Sequence, residues 1–155
     1  MKTGSLISLS AAQTQQFAHQ LAGSLKGGEI IFLRGPIGAG KTIFVKGIAD
    51  ALHLKTSPTS ASFSLMKAYH NKHVRLFHID LFRLEENEVF NLGLEEILED
   101  EKAILLAEWP DPAAQLFPQD RLELTFVLCE GDKREIQIRS FGRQSDRLWE
   151  TLCKK

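Results

Sequence analysis

The stretch Gly35-Pro36-Ile37-Gly38-Ala39-Gly40-Lys41-Thr42 decides how this chain folds, and only Arg34 separates it from the apolar run Ile30-Ile31-Phe32-Leu33. It fits G-x-x-x-x-G-K-[ST], the loop that wraps a nucleotide's phosphates between a buried strand and a helix. Glycines let the backbone curl until consecutive N–H groups point at one anion, a conformation that side chains obstruct. The helix that follows adds its partial positive charge and unpaired N–H groups. In such a loop Lys41 reaches the β- and γ-phosphates and the Thr42 hydroxyl holds Mg²⁺.

Both flanks agree with this reading. The run Ile30 to Leu33 has no polar member and predicts a strand covered on both faces. Behind Lys41, Phe44, Val45, Ile48, Ala49 and Leu52 recur at helical spacing. Upstream, Ser10-Ala11-Ala12-Gln13 has the spacing of a capping box, and Phe17, Leu21 and Leu25 fall four apart. These predict a helix running to Gly27-Gly28, with its N-terminus near the nucleotide end of the sheet.

Downstream, the polar loop 56–62 is followed by a strand over Phe63, Leu65 and on to Tyr69. A turn at His70-Asn71-Lys72-His73 then leads into an alternating strand ending at Asp80, so a hairpin is expected here. Residues 85–98 read as one or two short helices broken at Gly93. Ala103-Ile104-Leu105-Leu106-Ala107 is a second continuous apolar run, hence a second buried, parallel strand, which Glu108-Trp109-Pro110 terminates. Residues 122–128 and 135–138 alternate around a Gly131 turn as an antiparallel hairpin, and 143–152 forms a closing helix. The expected fold class is α/β: a P-loop NTPase-like sheet with parallel core strands and added antiparallel β-hairpins, flanked by helices. With 155 residues and no linker, the chain is expected to be a single domain over 1–155.

The net charge of −1 argues against broad, salt-driven nucleic-acid binding by this chain alone. No run approaches transmembrane length and the N-terminus has no long apolar core, so a cytoplasmic chain with no membrane contact is expected. Cys129 and Cys153 lack metal-ligand spacing and read as reduced thiols.

A phosphate loop binds a nucleotide without by itself hydrolysing it. A carboxylate at a strand end must help hold Mg²⁺, and another group must orient the attacking water. Glu108 closes the buried strand and Asp80 closes the alternating one, which makes both candidates. Thr59 lies where a switch-type loop would close on Mg²⁺ and the γ-phosphate. Trp109 either stacks on a ligand or packs.

Taken together, these segments resemble the bacterial TsaE (YjeE) ATPases, which act in making threonylcarbamoyladenosine beside the anticodon of tRNAs that read ANN codons. The resemblance covers nearly the whole chain. It rests on the phosphate loop, Ser57-Pro58-Thr59, His78-Ile79-Asp80-Leu81-Phe82-Arg83-Leu84, Gly93-Leu94-Glu95-Glu96, Glu108-Trp109-Pro110, and the stretch 116–122 ahead of the last hairpin. It implies an ATP- and Mg²⁺-dependent ATPase that works with TsaD-type and TsaB-type subunits and meets tRNA only through that complex. Carried over by position, Lys41 and the loop residues Ile37, Gly38, Ala39 and Gly40 hold phosphates, while Thr42 and Glu108 hold Mg²⁺. Thr59 belongs to the switch-like loop, Asp80 assists hydrolysis and Trp109 sits beside the site. Ala11 lies near the adenine, and the Gly131 turn reaches the nucleotide from the other side. Three departures stand out: Pro36 where the family usually has Asp, Ile43 where it has Thr, and a loop after Thr59 that is two residues longer. The alternative reading, a small-molecule kinase, calls for an arginine-bearing lid. The region after the phosphate-loop helix offers a hairpin and an acidic helix instead.

Overall fold

An apolar run with no polar residue to turn toward water must be covered on both faces, and the two such runs in this chain become neighbouring central strands. The structure is a computed structural model and describes residues 1–56, 66–82 and 84–154. In chain order the strands are β1 (Lys2–Ser8), β2 (Ile30–Arg34), β3 (Lys55–Thr56), β4 (Met66–His70), β5 (Arg75–Asp80), β6 (Ala103–Glu108), β7 (Leu122–Leu128) and β8 (Arg134–Ser140). The helices are α1 (Ala11–Ala22), α2 (Lys41–Ala51), α3 (Glu86–Phe90), α4 (Leu94–Glu99) and α5 (Arg143–Cys153), with a 3₁₀ segment over Asp111–Leu116. Among the described residues the strands make one eight-stranded sheet in the order β1-β8-β7-β2-β6-β5-β4-β3.

The middle of that sheet, β7-β2-β6-β5, is parallel, and antiparallel hairpins extend it on both sides. Alternation along β2 sends Ile31 and Leu33 to one face and Phe32 to the other. The first face packs on α1, α2 and α5 through Leu21, Phe44, Ile48 and Leu148. The second packs on α3, α4 and the 3₁₀ segment through Val89, Leu94 and Phe117. Where the second face is not covered by a helix, buried Glu123 binds Arg34, Arg121 and Arg139 at 2.7, 2.9 and 3.0 Å. Among the described residues no helix is long and apolar enough to cross a membrane.

Beyond the added two-residue strand β3 and the 3₁₀ segment, three elements differ from the sequence reading. Residues 2–8, of which the sequence marks only a short apolar segment from Leu6 to Leu9, form β1. Its side chains alternate between half-buried and exposed, and it pairs with β8 along its whole length. Helix α1 ends at Gly23 instead of at Gly27-Gly28, although Leu25 is still buried beyond the helix. Strand β7 belongs to a hairpin, as expected, but it also pairs in parallel with β2 and so completes the parallel core. The start of the first hairpin, Phe63 and Leu65, lies outside the described residues.

Helix α5 is capped from a distance. The Asp120 carboxylate accepts from the backbone N–H groups of Gln144 and Ser145 at 2.8 and 2.9 Å. A Cβ at Gly142 would collide with that carboxylate, so the N-cap position of the helix is occupied by glycine. Burial alone would push the Asp120 carboxyl up, but the hydrogen bonds from Ser145 and Gln144 outweigh it and hold the carboxyl below the usual aspartate range. A depressed folded-state value stabilises the fold above the unfolded value near ~3.9 and is lost as pH falls through the folded one. Asp120→Ala is therefore expected to cost about 0.5–2 kcal/mol at neutral pH. By urea unfolding, the gap to the parent protein should narrow as pH drops below ~4. A gap that stays constant down to acid pH would mean that the charge contributes nothing.

Candidate nucleotide site

The parallel register sets the site. Leu33 and Asp80 both pair with Glu108 across β6, so the ends of β2 and β5 and the Glu108 carboxylate meet at one edge of the sheet. The chain leaves β2 through Gly35, whose φ is +136°, and a Cβ there would stand 2.6 Å from the Phe126 carbonyl oxygen of β7. Only glycine combines that backbone angle with that approach. Ala39 N–H closes a turn on the Pro36 carbonyl at 3.1 Å, and Gly40 at φ +107° starts α2 without any side-chain cap. The first N–H groups of an eleven-residue helix are thus left for a ligand in the loop.

In front of the loop lies a cavity of about 330 Å³ lined by Gly38, Gly40, Lys41, Thr42, Asp80 and Glu108, with Ile37, Ile43, Phe82 and Trp109 as its apolar part. Lys41 is 5 % exposed. Its Nζ donates to the Gly35 carbonyl at 2.5 Å and stands 3.8 Å from Glu108 Oε2. The same ammonium lies 4.5 Å from the centre of the Trp109 ring, in cation–π range. Glu108 is 8 % exposed, and its Oε1 is 2.8 Å from His78 Nε2. Burial alone would push the Glu108 carboxyl up. The hydrogen bond and charge of His78, with the nearby Lys41 ammonium, outweigh that and hold it below the ordinary glutamate range. Glu108 is therefore an anion at neutral pH, as a metal-holding carboxylate must be. Asp80 is exposed at the end of β5, and its Oδ1 accepts from Phe82 N–H at 3.0 Å. Trp109 follows Glu108 with a φ of 53°, rare for a non-glycine residue, and its N–H donates to the Leu33 carbonyl at 3.3 Å. Its ring is 5.4 Å from that of Phe82.

The donors suit a hard divalent cation shared with phosphates. Among the described residues no three His, Cys, Asp or Glu side chains form a cage, and the lining residues with oxygen-bearing side chains are Thr42, Asp80 and Glu108. Mg²⁺ characteristically takes one or two carboxylate ligands and completes its shell from phosphates and water.

Most residues singled out in the sequence come together here: Ile37, Gly38, Gly40, Lys41, Thr42, Asp80, Glu108 and Trp109 line the one cavity. Ala39 lies behind it, fully buried. Ala11 opens α1, where Ser10 Oγ accepts from Gln13 N–H, and is exposed. Gly131 sits at φ +61° in the exposed turn between β7 and β8. Neither Ala11 nor Gly131 lines the cavity. Thr59 lies outside the described residues. Two residues at the site were not singled out for a role. His78 follows buried Leu76 on its strand face and Arg134 precedes buried Ile136 and Ile138 on its own, and a polar side chain in line with buried apolar ones was their signal.

Comparison with known proteins agrees with this geometry. The sequence profile of the family described as threonylcarbamoyl adenosine biosynthesis protein TsaE matches residues 8–136. The chain belongs to the TsaE family. The tRNA threonylcarbamoyladenosine biosynthesis protein TsaE of Bacillus subtilis (strain 168) is 32 % identical over 142 residues, covering 92 % of this chain and 89 % of that protein. Its namesake in Borreliella burgdorferi is 39 % identical over 115 residues, covering 72 % and 81 %. The crystal structure of Bacillus subtilis YdiB superposes with a TM-score of 0.78 at 29 % identity, covering 97 % of this chain and 94 % of that one. The TsaE family and the P-loop-like fold together imply nucleotide binding.

The Lys41–Trp109 contact provides an optical reporter. Drawing the ammonium away from the indole face toward phosphates changes the ring's surroundings. In a Trp149→Phe background, Trp109 emission is expected to shift on titration with Mg-ATP. A flat titration in protein that calorimetry shows to be saturated would contradict this placement.

Proposed function

We propose that this chain is the Mg²⁺-dependent ATPase subunit of the assembly that forms threonylcarbamoyladenosine on tRNA, with hydrolysis serving turnover of TsaD-type and TsaB-type partner subunits. The observation that carries the reading is the convergence of Lys41, Thr42, Asp80 and Glu108 on one cavity at the mouth of the phosphate loop.

In this reading the loop amides and the start of α2 bind the phosphates, and Lys41 exchanges the Gly35 carbonyl for the β/γ-phosphate oxygens. Thr42 and Glu108 hold Mg²⁺, with His78 fixing the carboxylate from behind. Bound there, the ion would supply positive charge beside the transferred phosphoryl group. Asp80 orients the attacking water and takes its proton as the bond from the γ-phosphorus to the β,γ-bridging oxygen breaks, leaving ADP and inorganic phosphate. The exposed apolar Ile37 and Phe82 at the cavity rim support a site completed by a protein partner.

Single-turnover phosphate release from Mg-ATP, with and without the partner subunits, tests this. Slow release alone and faster release with partners is expected. A phosphorylated small-molecule acceptor would point to a kinase, and no release under either condition to a pure binding module. Asp80→Asn is expected to bind Mg-ATP yet lose hydrolysis by about 10²-fold or more. Glu108→Gln should weaken Mg-ATP by about tenfold or more while leaving metal-free nucleotide binding largely intact. The two phenotypes exchanged would mean that the roles of these carboxylates are swapped.

A further inference from the structure

Arg134 begins β8 on the face that also carries Ile136, Ile138 and Ser140, and it is 8 % exposed. In register it stands between Ser8 of β1 and Leu128 of β7. Its Nη1 donates to the Ala39 carbonyl at 3.0 Å, and Nη2 makes a long contact of 3.5 Å with the Asp132 carbonyl. Its Nε is buried with no acceptor. Among the described residues no carboxylate pairs with this guanidinium, which nonetheless keeps its charge at any physiological pH. A buried charge without a counter-charge is costly and calls for a partner.

What faces Arg134 is the back of the phosphate loop. A Cβ on Gly40 would collide with Nη1, so position 40 must stay bare for the guanidinium to sit there. In a planar trans peptide the C=O and the following N–H point in opposite directions. With the Ala39 carbonyl drawn onto Arg134, the Gly40 N–H is aimed the other way, toward the cavity that Gly40 and Lys41 line.

We propose that Arg134 is the positioning residue of the nucleotide loop: it locks the Ala39–Gly40 peptide with its N–H toward the phosphates and supplies the charge that those phosphates balance. This rests on the phosphate-loop reading above. The arrangement ties nucleotide affinity to a hairpin outside the loop itself. The buried cation is uncompensated without ligand and compensated with it, so nucleotide binding gains from a cost already present in the fold.

Calorimetry with Mg-ATP and with ADP, alongside thermal unfolding of nucleotide-free protein, tests the proposal on the parent chain, Arg134→Met, Arg134→Gln and Arg134→Lys. Failure of the parent chain to bind ATP would overturn the phosphate-loop reading itself. Given parent binding, Arg134→Met and Arg134→Gln are expected to weaken both nucleotides by about tenfold or more. Both nucleotides should suffer alike, because both carry the β-phosphate that the loop holds. The nucleotide-free Tm should not fall, since an uncompensated buried charge has been removed. Arg134→Lys, which keeps the charge and a donor, should recover most of the affinity. Neutral variants that bind ATP and ADP like the parent would overturn the proposal. So would a lowered Tm with unchanged affinity, which would make Arg134 a brace for the hairpin and nothing more.

Discussion

The pairing of β2 with β6 in parallel, with Leu33 opposite Glu108, is the constraint from which the rest of the site follows. Parallel strands end at the same edge of a sheet, so the loop that leaves β2 and the carboxylate that closes β6 share one edge without any further device. Adding β5 on the other side of β6, with Asp80 opposite Glu108, brings the second carboxylate to the same edge. Register is as important as direction. A slip by one residue would turn Glu108 to the opposite face, among Phe32 and Phe117, where an ion could not be compensated. Burial of both sheet faces makes such a slip expensive, which ties site geometry to core packing.

At that edge the electrostatics are arranged in layers. Glu108 is flanked by His78 and Lys41, so its charge is satisfied although it is nearly buried. Lys41 in turn bonds to the Gly35 carbonyl and lies over Trp109, a set of neutral or singly charged partners that a polyphosphate out-competes. Arg134 stands behind the loop with no carboxylate partner among the described residues. Lys41 and Arg134 thus concentrate positive charge at the phosphate loop, with Glu108 and Asp80 at the strand ends beside it, although the whole chain carries a net charge of −1. That contrast explains why overall charge argues against unspecific nucleic-acid binding and says little about a local anion site.

Much of this was legible in the sequence, for reasons that can be named. The phosphate loop, the uninterrupted run of β6 and the alternation of β5 each express one strong physical demand: a glycine conformation, burial on two faces, burial on one. Gly93, expected to break the acidic helix, does so in a left-handed conformation between α3 and α4. The strand β1 was less legible because only Leu6 and Ser8 face inward strongly enough to register, and Gly4 occupies a position where a Cβ would press on Cys153 and Trp149. The parallel partner of β7 left no local mark, since pairing between strands far apart in the chain is decided by the whole sheet. The same holds for Arg134, whose meaning depends on the Ala39 carbonyl, 95 residues away in the chain.

The central claim, that one sheet edge assembles loop, metal carboxylate and water-orienting carboxylate around a nucleotide, is tested most directly by a crystal structure with Mg²⁺ and a non-hydrolysable ATP analogue. The account predicts phosphates against the amides of residues 37–42 and Lys41 Nζ moved from the Gly35 carbonyl onto them. It also predicts Mg²⁺ at about 2.0–2.1 Å from the Thr42 hydroxyl and held by Glu108 directly or through one water. A nucleotide bound away from the loop, with Lys41 still on the Gly35 carbonyl, would contradict it.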